Sequence, residues 1–301
     1  MHAFGIGEAA ALITALSWAG SCQLHTVASR ILGPVAVTTV RVPLYLIGIG
    51  LVAYFSGATL GMPPGAFPFI LLSAIFGIAL ADPVLYMAAV SIGPRLALLV
   101  QSLYACITAV LGYLFLGENI TALGWFGVFT ATFGVAFVLL EGGITSGAGL
   151  GNISRAQIFR GAGLAFLSAT GMALAFLTLK QACLLGVDPV WAAFLRFAIG
   201  GSCLWFFMLV RGKLFSSLKD TFTSWRVVKI LLIACCVSTI GNCLAPVAIN
   251  HVEAGIAATL IGLQPIMIIG ITSVVDRRLP SLRAVVGTFI AFCGAAMIFL
   301  R

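Results

Sequence analysis

Apolar residues run along this chain in blocks of about twenty, broken by short gaps rich in Gly, Pro and basic residues. A helix of about twenty residues crosses roughly 30 Å of hydrocarbon at 1.5 Å per residue. The pattern predicts ten helices, over roughly 8–28, 35–55, 67–90, 95–116, 122–140, 160–183, 189–209, 229–250, 255–275 and 282–300. They must be helices, because an isolated strand leaves its backbone unsatisfied in lipid, and a barrel needs short alternating segments that the chain lacks. Gly33-Pro34, Pro63-Pro64, Gly93-Pro94, Asp188-Pro189 and Leu279-Pro280 punctuate the gaps. The longest gaps are 141–159 and 210–228, and the Gly/Ser-rich 142–159 reads as a flexible linker between halves 1–141 and 160–301.

Composition sharpens the class. Of 301 residues 61% are apolar and 8% charged, against about 45–50% and 25% in soluble domains. So few charges cannot cover a surface facing water. The net charge of +8 does not point to nucleic acid, because the basic residues sit between apolar blocks instead of clustering on one face. The eight cysteines all fall inside apolar blocks, with no C-x-x-C pair. They read as packing residues, with no metal site, cofactor or disulfide framework implied. The first Arg or Lys is Arg30, so the first block has no basic n-region and reads as a retained helix.

The two halves repeat each other. At a shift of 160 residues Ala88 falls on Ala248, Ala97 on Ala257, Ala105 on Pro265, Gly127 on Gly287 and Gly134 on Gly294. Earlier, Pro34 and Arg41 match Pro189 and Arg196, both pairs seven apart, and Ser17 and Gly20 match Ser168 and Gly171. Five helices per copy make the second copy enter the bilayer upside down. Inverted repeats are typical of secondary transporters, with the substrate site near the midplane between them.

These residues carry a resemblance. Ser17-Trp18-Ala19-Gly20, the Pro34/Arg41 and Pro189/Arg196 spacings, Leu116-Gly117-Glu118, Gly127 and Gly134, and Gln264-Pro265 together resemble the drug/metabolite transporter superfamily in its EamA-type branch. The likeness covers nearly the whole chain. Two positions depart from the pattern: Arg278 stands where the first half has Glu118, and Ala105 where a Pro is common. The resemblance implies that helices one to four and six to nine line a transport path. It also implies that the fifth and tenth are peripheral and support a homodimer. Gly127/Gly134 and Gly287/Gly294 give those two helices small-residue faces suited to close packing.

Ionisable side chains inside a membrane are costly and mark functional sites. Asp82, directly before Pro83, is the repeat mate of Asn242, which lies near Pro246. Two polar groups at matched positions beside helix breakers suggest one central polar site. Asp82 is the candidate for proton coupling; the plain alternative is a packing bond to a neighbouring helix. Gln101 and Tyr104 share a helix face, and Tyr104 is the mate of Gln264. Arg41 and Arg196 lie about two turns inside their helices. From opposite halves of the bilayer they would flank two vestibules and grip carboxylates, unless they snorkel to the interfaces. Gln23 and His25 point about 200° apart on a helix, so one at most faces a cavity. Gln23, the deeper, is the choice, with His25 an interface or capping residue. Trp18, Tyr86 and Tyr104 are candidates for stacking on substrate. Lys180 reads as a snorkelling residue.

No HExxH, phosphate loop, G-x-S-x-G or Cys/His metal spacing is present, so the sequence offers no enzyme signature and no ATP-hydrolysing machinery. The expectation is a secondary transporter of a small polar organic metabolite, an amino acid among the candidates. The rival on the same scaffold is a lipid or lipid-linked-sugar flippase. The expected place is a cell (inner) membrane. Twelve of the sixteen basic residues fall in odd-numbered loops. Positive loops stay in the cytoplasm, which predicts both termini on the other side.

Overall fold

The computed structural model describes residues 5–116, 121–140, 154–252, 254–268, 271 and 281–297. Their regular structure is all helical, with no strand among them. Helix α1 spans Ile6–Leu32, α2 Pro34–Val40 and α3 Val42–Phe55. After α4 (Phe67–Ser73), a π-helical segment over Ala74–Ala81 runs into α5 (Asp82–Ile92). Then come α6 (Pro94–Gln101), α7 (Tyr104–Leu116), α8 (Ala122–Leu140), α9 (Arg155–Leu184) and α10 (Pro189–Val210). A short α11 (Leu214–Thr223) precedes α12 (Trp225–His251) and α13 (Ala254–Ile261), followed by a helical stretch at 264–268 and α14 (Leu282–Met297). Six segments of the described residues are long and apolar enough to cross a membrane, and parts of α8 and α14 are shorter apolar helices. Phe126, Phe129, Phe133 and Phe206 stand exposed on the outside, as expected of a multi-pass protein whose outer solvent is lipid.

The predicted elements occur with informative differences. The second predicted helix is divided at Arg41, the third by the π segment, and the fourth at Ser102 and Leu103. The same break recurs 160 residues later at Gly262 and Leu263. The sixth helix starts at Arg155, capped by the Ser154 side chain, which accepts the Gln157 N–H. Residues 155–159, expected in the linker, are therefore helical. The remaining linker residues 142–153, the Gly117-Glu118 motif, and Arg277 and Arg278 lie outside the described residues. The 210–228 gap holds α11, with Leu214 buried and Phe215 and Phe222 exposed. Gly33 and Gly93 adopt φ of 89° and 85° directly before prolines, a region that glycine enters without steric cost.

Helix pairing is unchanged when the halves are exchanged. α1 packs along α12, and α9 packs along the α4–α5 stretch; α3 packs on α10, and α8 on α14. The contacts keep the repeat register. Ser17 Oγ accepts the Gly241 N–H, and Ser168 Oγ donates to the Ala81 carbonyl. Each serine thus touches the helix that its mate's partner matches. At the α8–α14 crossing, a Cβ on Gly134 would lie 2.4 Å from the Ala291 nitrogen, and one on Gly294 would lie 2.2 Å from the Ala131 nitrogen. Rising numbers on α8 meet falling numbers on α14, so the two helices run antiparallel. Their small-residue faces close on each other within one chain. Gly127, Gly134, Gly287 and Gly294 are therefore packed against each other's helices inside the chain.

Candidate functional site

A cavity lies between the halves. It encloses about 780 Å³ of space free of protein atoms, its opening included. Of the residues singled out from sequence, Trp18, Arg41, Asp82, Tyr86, Gln101, Tyr104, Arg196, Asn242 and Gln264 line it. No described residue of α8 or α14 contributes to the wall.

Backbone irregularity positions the first-half groups. Pro43 has no N–H to give the Thr39 carbonyl one turn earlier, and the Trp205 indole N–H of α10 donates to that carbonyl at 3.0 Å. Arg41 sits at this interruption. Pro83 similarly opens α5, and the preceding π segment delivers Asp82 to the cavity. Such segments often mark functional sites.

Arg41 is 3% exposed, so it does not snorkel. Its guanidinium donates to the Asp82 carboxylate as an ion pair. It also lies 5.3 Å from the centre of the Tyr45 ring and 4.8 Å from that of Tyr86, within cation–π range. Asp82 thus bonds a neighbouring helix and also faces the cavity, with its side chain 19% exposed.

Arg196 differs. It is 7% exposed and lines the same cavity, yet no described residue hydrogen-bonds or ion-pairs with it, and its Nε is buried without a partner. Gly77 of the π segment makes room for it, since a Cβ there would lie 2.7 Å from Nη2. The two arginines were expected in separate vestibules. They share one cavity. Each lies seven residues from a helix-opening proline, about 10 Å along its axis, a third of the way into a layer of roughly 30 Å, close enough for both long side chains to reach one central space.

The remaining wall is hydrogen-bonded. Asn242 Oδ1 accepts the Trp18 indole N–H at 3.0 Å, which fixes both the amide and the ring. Gln101 donates to Ser168 at 3.0 Å. The Tyr104 hydroxyl donates to the Ala258 carbonyl at 2.8 Å, and its ring meets Phe176 edge-on. The Tyr104 hydroxyl is therefore occupied while the residue lines the cavity. Gln264 is buried at the cavity wall.

Gln23 does not line the cavity; Trp18, Ser21 and Cys22 do. His25, read as an interface residue, is fully buried behind the wall. Its Nε2 lies 3.3 Å from the Tyr45 hydroxyl and its Nδ1 lies 3.3 Å from that of Tyr86. Ser238 donates to the Ala234 carbonyl, so the Tyr45 hydroxyl, 2.7 Å from Ser238, donates to it in turn. The imidazole thus lies between the two tyrosine hydroxyls, with Cys235 Sγ 4.0 Å from Nε2. The signal was in the spacing, because Trp18, Cys22 and His25 fall at i, i+4 and i+7 on one helix face. Lys180 is half-buried. Its ammonium donates to the Ile249 and Val252 carbonyls at 2.6 and 3.2 Å, at the C-terminus of α12.

Two exchangeable halves packed around a charged cavity define a multi-pass helical membrane protein built as a repeat. The EamA-like transporter family model matches residues 5–140 and 159–300, once in each half. The chain belongs to this family, a branch of the drug/metabolite transporters. A solved structure titled only "Crystal structure of protein" superposes with a TM-score of 0.64 over 96% of this chain and 96% of its own, at 14% identity. That likeness concerns the fold. No curated protein matches the chain.

Proposed function

We propose that the chain is a secondary transporter of a small polar organic metabolite. In this reading it has ten spans in two inverted five-helix repeats, which rock around the cavity to expose it to each side in turn. It performs no catalytic step. The observation that carries the reading is the convergence of repeat-related residues on one cavity: Arg41 with Arg196, Asp82 with Asn242, and Tyr104 with Gln264. A site built from both halves is reshaped when the halves move, which alternating access needs. The antiparallel α8 and α14 support inversion of the repeats.

Trp18, Tyr86, Tyr104, Gln101 and Gln264 form the substrate-facing wall, and Asp82 is the coupling group. Protonating Asp82 removes the charge that holds Arg41, so proton binding and the Arg41–Asp82 pair exclude each other. We place the protein in a cell (inner) membrane, with the 210–228 region in the cytoplasm and both termini outside, on the distribution of Lys and Arg.

The test is uptake into proteoliposomes. Radiolabelled amino acids and organic acids are offered beside a fluorescent-lipid scrambling assay. Saturable uptake that depends on the pH gradient is expected, and Asp82→Asn is expected to flatten its pH profile. Scrambling without uptake would replace the transporter reading with a flippase. An unchanged pH profile in Asp82→Asn would remove the coupling role. Reporter fusions at Arg301 and within 213–219 test the orientation, and a cytoplasmic C-terminus with an external 213–219 segment overturns it.

A further inference from the structure

The cavity's fixed charges do not cancel. Among the described residues its lining holds two arginines and one carboxylate, and no Lys or Glu. Asp82 is bonded to Arg41. It lies close enough to attract Arg196 as well, but its one described ion pair is with Arg41. Arg196 is left as a buried cation without a hydrogen-bond or ion-pair partner among the described residues. Removing a charge from water costs several kcal/mol unless an opposite charge and hydrogen bonds replace the lost hydration. Arg196 faces the cavity, so a solute can bring that missing anion.

We propose that Arg196 is the receptor for a single carboxylate on the substrate, and that the cavity selects a monoanionic organic acid over the matching zwitterion. The inference rests on the transporter reading and narrows its substrate class. Three observations carry it. The guanidinium is a planar fork suited to two parallel bonds from a carboxylate, and Gly77 clears the space beside it. The substrate's one negative charge brings the lined charges to neutrality. An amino acid does not, because its ammonium would need a second free carboxylate and Asp82 is taken. The rest of the lining suits an apolar or aromatic body: Trp18, Tyr86, Leu98, Met172 and Phe197 face the same space.

The test uses the full-length protein in detergent and four ligands with one apolar body: 3-phenylpropanoate, L-phenylalanine, 2-phenylethylamine and 3-phenylpropanamide. Affinities come from the concentration dependence of the melting-temperature shift. The anion is expected to bind about tenfold or more tightly than the amide or the zwitterion, the effect of a charge-assisted hydrogen bond. Arg196→Gln is expected to bring the anion down to the level of the amide while amide binding persists. Arg196→Lys keeps the charge without the fork and is expected to fall between them. If Arg196→Gln does not fold, Arg196→Lys and the wild-type ranking decide. Equal or tighter binding of the zwitterion or amide overturns the proposal. So does an anion preference that survives both substitutions, or a wild type that binds none of the four.

Counterflow in proteoliposomes separates the two readings. Anion binding that depends on Arg196 without counterflow removes the transport reading and leaves this one standing. Counterflow as fast for the amide as for the anion removes this one and leaves transport standing.

Discussion

The two halves place an arginine at the same point of matching helices and treat it in opposite ways. In the first half the helix is interrupted at Arg41, Pro43 follows, and Asp82, Tyr45 and Tyr86 surround the guanidinium. In the second half α10 runs unbroken through Arg196, position 242 carries Asn where its mate is Asp82, and Asn242 is bonded to Trp18. The first arginine is neutralised by the fold, and the second is left for a solute. The repeat thus supplies a shared frame, and a single Asp/Asn difference divides the labour. Pseudo-symmetry sets where the charges lie, while its local violations decide which of them remain available.

The sharpest way to break this comparison is to remove each arginine in turn from the ligand-free protein. Arg41→Gln leaves Asp82 as a buried carboxylate without its cation, and loss of one partner of such a pair costs about 3–5 kcal/mol. A large fall in melting temperature in detergent is expected, with most of it recovered in Arg41→Gln/Asp82→Asn, where neither charge is stranded. Arg196→Leu removes a charge that has no partner to strand, so its effect is expected to be near zero or stabilising. Equal losses from Arg41→Gln and Arg196→Leu would show that the fold compensates both arginines alike.

A smaller effect sharpens the symmetric side. Gly134 and Gly294 meet backbone atoms of the opposite helix at 2.4 and 2.2 Å from a built Cβ, and backbone cannot swing aside as a side chain can. Gly134→Ala and Gly294→Ala should each cost about 1–3 kcal/mol, the usual range for overpacking, and by nearly the same amount. The melting temperatures of the two variants should agree within a degree or two. A clear inequality would mean that the α8–α14 contact does not share the repeat's symmetry.

These contrasts were only partly visible in the chain. The repeat was legible because Gly, Ala and Pro at close helix contacts tolerate few replacements, and their series survives at a shift of 160 residues from Ala88/Ala248 to Gly134/Gly294. Asp82 and Asn242 were legible as polar groups in apolar blocks. The state of the arginines was not, because pairing depends on which helix faces which, and no local pattern records that Arg41 meets Asp82. Gln23 was preferred to His25 on depth, yet the helix face decides, and only the packing of α1 on α12 fixes that face. The π segment over Ala74–Ala81 is composed of ordinary apolar residues ahead of Asp82-Pro83, so nothing in it marks an extra residue per turn. By contrast, α11 was readable: Leu214, Leu218 and Thr221 fall at i, i+4 and i+7, a helical spacing inside a stretch that its polarity made look like a loop.

The smallest effect probes how the interruption at Arg41 is held. Pro43 withholds the N–H that would reach the Thr39 carbonyl, and the Trp205 indole supplies a donor at 3.0 Å from the other half of the molecule. Trp205→Phe keeps most of the ring volume and removes only that donor. Interhelical hydrogen bonds in membranes average about 0.6 kcal/mol and reach about 1–2 kcal/mol, so a fall of that order in the stability of the ligand-free protein is expected. In a Pro43→Ala background the backbone N–H of residue 43 can take the Thr39 carbonyl itself, and the same Trp205→Phe change should then cost little. The difference between the two costs is the coupling energy between a helix break in the first half and an indole in the second. A zero difference in the double-mutant cycle would mean that Trp205 contributes there through packing alone, and that the interruption at Arg41 is held by the Asp82 pair without help from α10.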